Sequence, residues 1–115
     1  MVDSMLHYRD LTPAQKKQIC NGCGGKGGFI NPPEFLFHAS CDHHDFYYWR
    51  GGTEEDRKKA DDAFYRFMGL DIVNEDSRFK RMYYSIWAYT YYKGVRVRGK
   101  KYFSYGRQKT MKDLV

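Results

Sequence analysis

The sequence predicts an all-α domain organised around an antiparallel pair of helices, and three features carry that expectation. Asn31-Pro32-Pro33 is followed by no proline or glycine until Gly51, Gly51-Gly52 breaks the pattern, and Thr53-Glu54-Glu55-Asp56 reads as an N-cap with acids in the first turn. A helix over about residues 33–50 and a second over 53–68, stopped by Gly69, follow from these signals. So short a turn leaves the two helices antiparallel.

The remaining elements are read in chain order. Leu11-Thr12-Pro13-Ala14 sets an N-cap before a proline at the first helical position, which predicts a short helix over 13–19. Asn21-Gly22-Cys23-Gly24-Gly25-Lys26-Gly27-Gly28 holds too many glycines for regular structure. Such a loop is either a plain flexible turn or a place where backbone carbonyls and amides converge, the carbonyls suiting Ca²⁺ and an amide an oxyanion. Asn74-Glu75-Asp76-Ser77 caps a third helix over about 77–92, whose stripe of Phe79, Met82, Tyr83, Ile86 and Tyr89 or Thr90 is expected to be core. Gly94 ends it. Val95-Arg96-Val97-Arg98 alternates with period two and Tyr102-Phe103-Ser104-Tyr105 can pair back across Gly99, so a small C-terminal β-hairpin is expected, with residues 107–115 frayed.

The chain's 115 residues make one domain, with a core over 12–93 and a basic aromatic tail over 94–115. Its formal charge of +6 and 18% aromatic content, mostly tyrosine, suit an anionic partner, whether nucleic acid or lipid headgroups. No apolar run approaches the length of a membrane span, and Met1-Val2-Asp3-Ser4-Met5-Leu6 lacks the apolar centre of a signal peptide. The expectation is therefore a mature or excised domain, or one exported by another route. Three cysteines permit at most one intramolecular disulfide, which excludes a disulfide-built scaffold.

Counting outward from Gly51-Gly52, His44 lies about 9 Å along the first helix and Asp61 about 12 Å into the second. They stand at nearly the same height. Asp61 shares its face with Phe64, Tyr65 and Met68, while Glu54, Lys58, Lys59, Asp62 and Arg66 are more readily solvated. A carboxylate turned inward beside a histidine orients the imidazole and stabilises its protonated form, as in a base held by an acid. Asp45 points about 100° away from His44 around the helix and can serve a different task, such as holding a cation.

Cys41-Asp42-His43-His44-Asp45-Phe46-Tyr47-Tyr48, preceded by a Gly-rich loop with Cys23 and followed by Ala60-Asp61-Asp62-Ala63-Phe64, resembles phospholipase A2 of the short prokaryotic and fungal type. The likeness spans roughly residues 21–68. It implies calcium-dependent hydrolysis of the sn-2 ester of glycerophospholipids, with His44 as general base, Asp61 as its partner, Tyr48 fixing that Asp, and Asp45 as a Ca²⁺ ligand. Asn21 and Gly22 are the first choices for loop ligands, although bacterial members place an Asp where Asn21 falls. The resemblance also implies a Cys23–Cys41 disulfide, leaving Cys20 free. A need for calcium favours a location outside the cytosol.

Other readings use the same residues. Cys20, Cys23, Cys41 and His44 also spell a C-x2-C, C-x2-H zinc site, on which reading the domain is a structural zinc module binding nucleic acid. That module has no use for Asp45 or Asp61. A third reading is a phospholipase-like fold without catalysis, used for binding. In the tail, Arg96, Arg98, Lys100, Lys101, Tyr102 and Phe103 are the candidate interface, toward an anionic membrane for a lipase or phosphates for a nucleic-acid binder. The plain alternative is a solvated basic face. His43 is expected to be a bystander, and His7 and His38 have no partner visible in the sequence.

Overall fold

The computed structural model describes residues 5–20 and 34–114, in which four α-helices follow one another: α1 Pro13–Ile19, α2 Glu34–Arg50, α3 Glu54–Val73 and α4 Arg78–Arg98. The architecture is mainly α. The glycine-rich loop, and with it Asn21, Gly22 and Cys23, lies outside the described residues.

Three of the predicted starts are built as their sequence specifies, while the start expected at Asn31-Pro32-Pro33 lies outside the described residues. Thr12 accepts the Gln15 amide while Gln15 returns a bond to the Thr12 amide, and Thr53 and Asp56 repeat the same reciprocal box at the head of α3. The Ser77 hydroxyl accepts the Lys80 amide to open α4. Between α2 and α3 the chain reverses through Gly51, at φ 77°, where a side chain would also collide with the Ser104 carbonyl.

Two helices overrun their predicted ends. α3 continues through Gly69 to Val73, and α4 continues through Gly94 to Arg98. A mid-helix glycine costs about 1 kcal/mol relative to alanine, and burial beyond it offsets that cost. Ile72 packs into the core after Gly69, and after Gly94 Val95 packs against that same core. The expected β-hairpin does not form: residues 95–98 are the last turn of α4, and the segment after it makes only an isolated parallel bridge between Gly52 and Tyr105.

The main core lies where α2, α3 and α4 meet. It comprises Phe37, Cys41, Phe64, Met68, Ile72 and Ala88, flanked by Tyr84, Trp87 and Tyr91. α4 therefore turns inward a different stripe from the expected one. Phe79, Met82, Tyr83, Ile86 and Tyr89 are 80, 62, 50, 63 and 52% exposed. On the far side of α2, Phe46 packs with Leu6 and Leu11, joined there by Leu114.

The C-terminal segment is not frayed over its described length. It takes up three of the last four carbonyls of α2, which would otherwise lack partners, Gly51 answering the first of the four. Tyr47 O accepts the Gly51 amide at 3.0 Å, Tyr48 O the Ser104 amide at 3.1 Å and Arg50 O the Lys109 amide at 2.8 Å. Trp49 O accepts Lys109 Nζ at 2.9 Å. No helix among the described residues is long and apolar enough to cross a membrane.

The two faces of the bundle give contrasting stability predictions. Met68→Ala should cost about 2–5 kcal/mol, because Met68 is fully buried. Ile86→Ala should change stability by less than about 0.5 kcal/mol. Chemical denaturation of both variants checks the assignment of inner and outer stripes.

Candidate functional site

α2 and α3 bring His44 and Asp61 together as helix counting predicts. His44 Nε2 lies 2.8 Å from Asp61 Oδ1, with the carboxylate fully buried and the imidazole nearly so. The histidine ring is held between aromatic neighbours, stacked on Phe64 at 4.5 Å between centroids and tilted against Tyr48 at 4.2 Å.

Tyr48, one turn beyond His44 on α2, donates to the same Oδ1 at 2.6 Å. The other oxygen, Oδ2, accepts Arg96 Nη1 of α4 at 2.7 Å and, at 3.4 Å, Arg57 Nη1 of α3. Four donors thus converge on one carboxylate. Burial alone would raise the Asp61 carboxyl, but the bonds from His44, Tyr48 and Arg96 outweigh it and hold the group below its ordinary range. An ionised carboxylate only accepts hydrogen bonds, so His44 Nε2 carries the hydrogen and, in the neutral ring, Nδ1 keeps its lone pair. Burial pushes the imidazole below its ordinary pKa and Arg57 adds to this, against the pull of Asp61 in the other direction.

Arg57 and Arg96 are the site residues that sequence reasoning missed or misplaced. Arg57 is 1% exposed; it is gripped by Glu54 through Nε and Nη2, at 3.0 and 2.7 Å, and donates Nη1 to Val95 O at 3.0 Å. The spacing Glu54, Arg57, Asp61 places all three on one side of α3, a pattern readable in the sequence. Arg96, expected at an interface, instead commits its guanidinium to Asp61. Only the register of α3 against α4 reveals that.

Phe103 corrects the interface assignment a second time. It is 6% exposed and packs edge-on to Tyr48 at 5.2 Å. Arg98, Lys100, Lys101 and Tyr102 remain on the surface. Gly99 lies so close beneath Tyr48 that a Cβ there would overlap the phenol oxygen and press on Arg57.

Asp45 is half-buried on α2. Its carboxylate is near enough to Cys20 to help raise that thiol, which burial first and then Asp42 and Asp45 push up to about 12. Cys20, the thiol that the Asp45 charge acts on, is the last described residue before the glycine-rich loop. Cys41 is buried on α2, and the partner expected for it, Cys23, lies outside the described residues. The Cys20 thiol is free and donates to Asp42 O at 3.2 Å. Among the described residues no three of His, Cys, Asp and Glu are gathered as a metal-holding group, Cys20, Cys41 and His44 included.

His43 takes no part in the His44–Asp61 pair. It donates Nδ1 to Ala39 O at 2.9 Å and packs against Tyr8, fastening the N-terminal segment to α2. It also lines a cavity of about 180 Å³ with Ser40, Phe67, Leu70 and Asp71, where the Ser40 hydroxyl donates to Asp71 at 2.7 Å. His38 meets Asp42 one turn along the same helix at 3.2 Å.

No family model, curated protein or solved structure matches this chain.

Two measurements test the network. Gly99→Ala should displace the Tyr48 hydroxyl from Asp61 and lower thermal stability, by about 1–3 kcal/mol at the overpacked contact; an unchanged melting curve would contradict the close approach. The second concerns acid. Bonds from Arg57 and then Tyr105 bring the Glu54 carboxyl down to about 2. A carboxyl lowered on folding contributes stability above its unfolded value, near 4.3, and loses it as pH falls toward the folded one. Glu54→Gln should therefore flatten the fall in stability between about pH 4.3 and about pH 2, read by urea titrations across that window.

Proposed function

We propose that this protein is a small calcium-dependent hydrolase of glycerophospholipids, cleaving the sn-2 ester in the manner of phospholipase A2. The observation that carries the reading is the buried Asp61 carboxylate taking the Nε2 hydrogen of His44, which leaves Nδ1 as a base. The sequence resemblance around Cys41-Asp42-His43-His44-Asp45 supplies the substrate class and the metal.

In this mechanism His44 Nδ1 takes a proton from a water molecule as the water oxygen adds to the ester carbonyl carbon. Asp61 stays ionised and steadies the imidazolium, and Tyr48 and Arg96 hold the carboxylate in place meanwhile. When the carbon–oxygen bond to the glycerol breaks, the imidazolium returns its proton to the departing oxygen. The products are a fatty acid and a lysophospholipid, and no acyl-enzyme is required.

Asp45 would hold the Ca²⁺, with Asn21 and Gly22 as loop donors, and the bound ion would supply positive charge for the developing oxyanion and the substrate phosphate. The half-buried Asp45 carboxylate fits that role, being a hard oxygen donor whose charge reaches Cys20, the residue before the loop. Phospholipid is thus the substrate, and contact with an anionic membrane surface is peripheral. A calcium requirement favours a location where calcium is plentiful, outside the cytosol.

The deciding assay is sn-2 fatty-acid release from mixed phospholipid vesicles with calcium and then with a chelator, alongside the metal content of the same protein sample. Calcium-dependent release from zinc-free protein supports the hydrolase, whereas stoichiometric zinc without release returns His44 to the role of ligand. His44→Gln should lower turnover by about a hundredfold or more with the fold intact. Asp45→Asn should abolish the response to calcium along with activity. Retained activity in the first variant would sink the base assignment, and retained calcium dependence in the second would remove Asp45 from the metal site.

A further inference from the structure

α4 is apolar on two sides, and only one of them is used inside the protein. Tyr84, Trp87, Ala88, Tyr91 and Val95 face the core, while Phe79, Met82, Tyr83, Ile86 and Tyr89 continue outward at three- and four-residue spacing. Val97, 73% exposed, extends the outer row by two more turns. On a helix of 21 residues this row runs for much of about 30 Å, more than scattered surface hydrophobics explain.

Its surroundings select an occupant. The exposed cations Arg78, Lys80, Lys93 and Arg98 lie along or beside the row, and no Asp or Glu occurs between Ser77 and Lys112. A second copy laid on this face would bring two cationic rims together without an acid on either helix to pair them. Nucleic acid would meet the rims, but Met82 and Ile86 at the centre of the row offer bases no stacking surface. Large apolar side chains in the middle with Lys and Arg at the margins is the pattern of a helix lying in the headgroup region of an anionic bilayer.

We infer that the outer face of α4 is the surface by which this protein docks on an anionic lipid bilayer, with Phe79, Met82, Ile86 and Tyr89 entering the headgroup and upper acyl region. This docking surface rests on the hydrolase reading for its choice of a glycerophospholipid, and it replaces the C-terminal tail as the membrane contact. The tail has already given Phe103 to the interior and Arg96 to Asp61.

The test uses the full chain carrying His44→Gln, in chelator, so that neither hydrolysis nor calcium bridging enters. Co-sedimentation should show binding to phosphatidylglycerol–phosphatidylcholine vesicles and not to phosphatidylcholine alone. Adding Phe79→Ser with Ile86→Ser should cut partitioning by about tenfold or more with unchanged far-UV circular dichroism. Adding Lys100→Ser, Lys101→Ser and Tyr102→Ser should cut it by no more than about threefold. A separate Phe79→Trp variant should gain blue-shifted emission on the anionic vesicles. The inference is overturned if the parent does not bind, if the serine pair binds as the parent does, if only the tail variant loses binding, or if Phe79→Trp shows no shift. It is equally overturned if the serine pair dissolves a dimer, or abolishes nucleic-acid binding, while vesicle binding persists. Fatty-acid release by the wild-type chain is read separately: docking without release defeats the hydrolase alone, and release with undiminished docking by the serine pair defeats the docking face alone.

Discussion

A carboxylate with no exposure to solvent is expensive unless every lone pair is answered, and Asp61 is such a group. Its two oxygens receive a histidine and a tyrosine from α2, an arginine from its own helix and an arginine from α4. Three helices are therefore held in register by one side chain, because a slip of any of them leaves a buried charge unanswered. The arginines are in turn accounted for, Arg57 by Glu54 and by Val95 O, with Glu54 secured by Tyr105 from the C-terminal segment. The chemistry of His44 and the packing of the bundle are thus one problem with one solution: whatever fixes Asp61 also fixes which ring nitrogen is bare.

Much of this was legible in the sequence. Two helices joined by Gly51-Gly52 fix the relative height of His44 and Asp61 by rise per residue alone, and the pair meets accordingly. The capping residues Thr12, Thr53 and Ser77 mark their helix starts, since the bonds they make are local. Helix ends are harder. Gly69 and Gly94 carry an intrinsic penalty visible in the sequence, while the burial that overrides it depends on contacts to other helices that no local pattern contains. Val95-Arg96-Val97-Arg98 alternates like a strand, but Val95 is drawn to the core and Arg96 to Asp61 from adjacent positions of one helical turn.

α4 shows why periodicity identifies a helix more securely than its buried side. Two apolar rows with the same helical spacing lie on it, and the outer one is the more obvious in sequence because it begins with Phe79 beside the cap. Each row carries three rings, but in the inner row Tyr84 and Tyr91 meet Phe37 and Phe64 edge-on. Shape complementarity with α2 and α3 decides between the rows, and that is a property of the assembled bundle. The same reasoning explains Phe103, an aromatic in a basic stretch that turns inward because Tyr48 presents it with a ring edge.

The end of α2 is completed by residues that come some sixty positions later, the Ser104 and Lys109 amides and the Lys109 ammonium closing carbonyls of the helix that carries His44 and Tyr48. Synthesis from the N-terminus makes this an ordering in time. A nascent chain can expose His44, Tyr48 and Asp61 to the solvent well before Ser104 and Lys109 have left the ribosome, and until then the Tyr48, Trp49 and Arg50 carbonyls have only water to satisfy them. The base and its carboxylate are made first, and the helix that aims them is finished only by residues made after them.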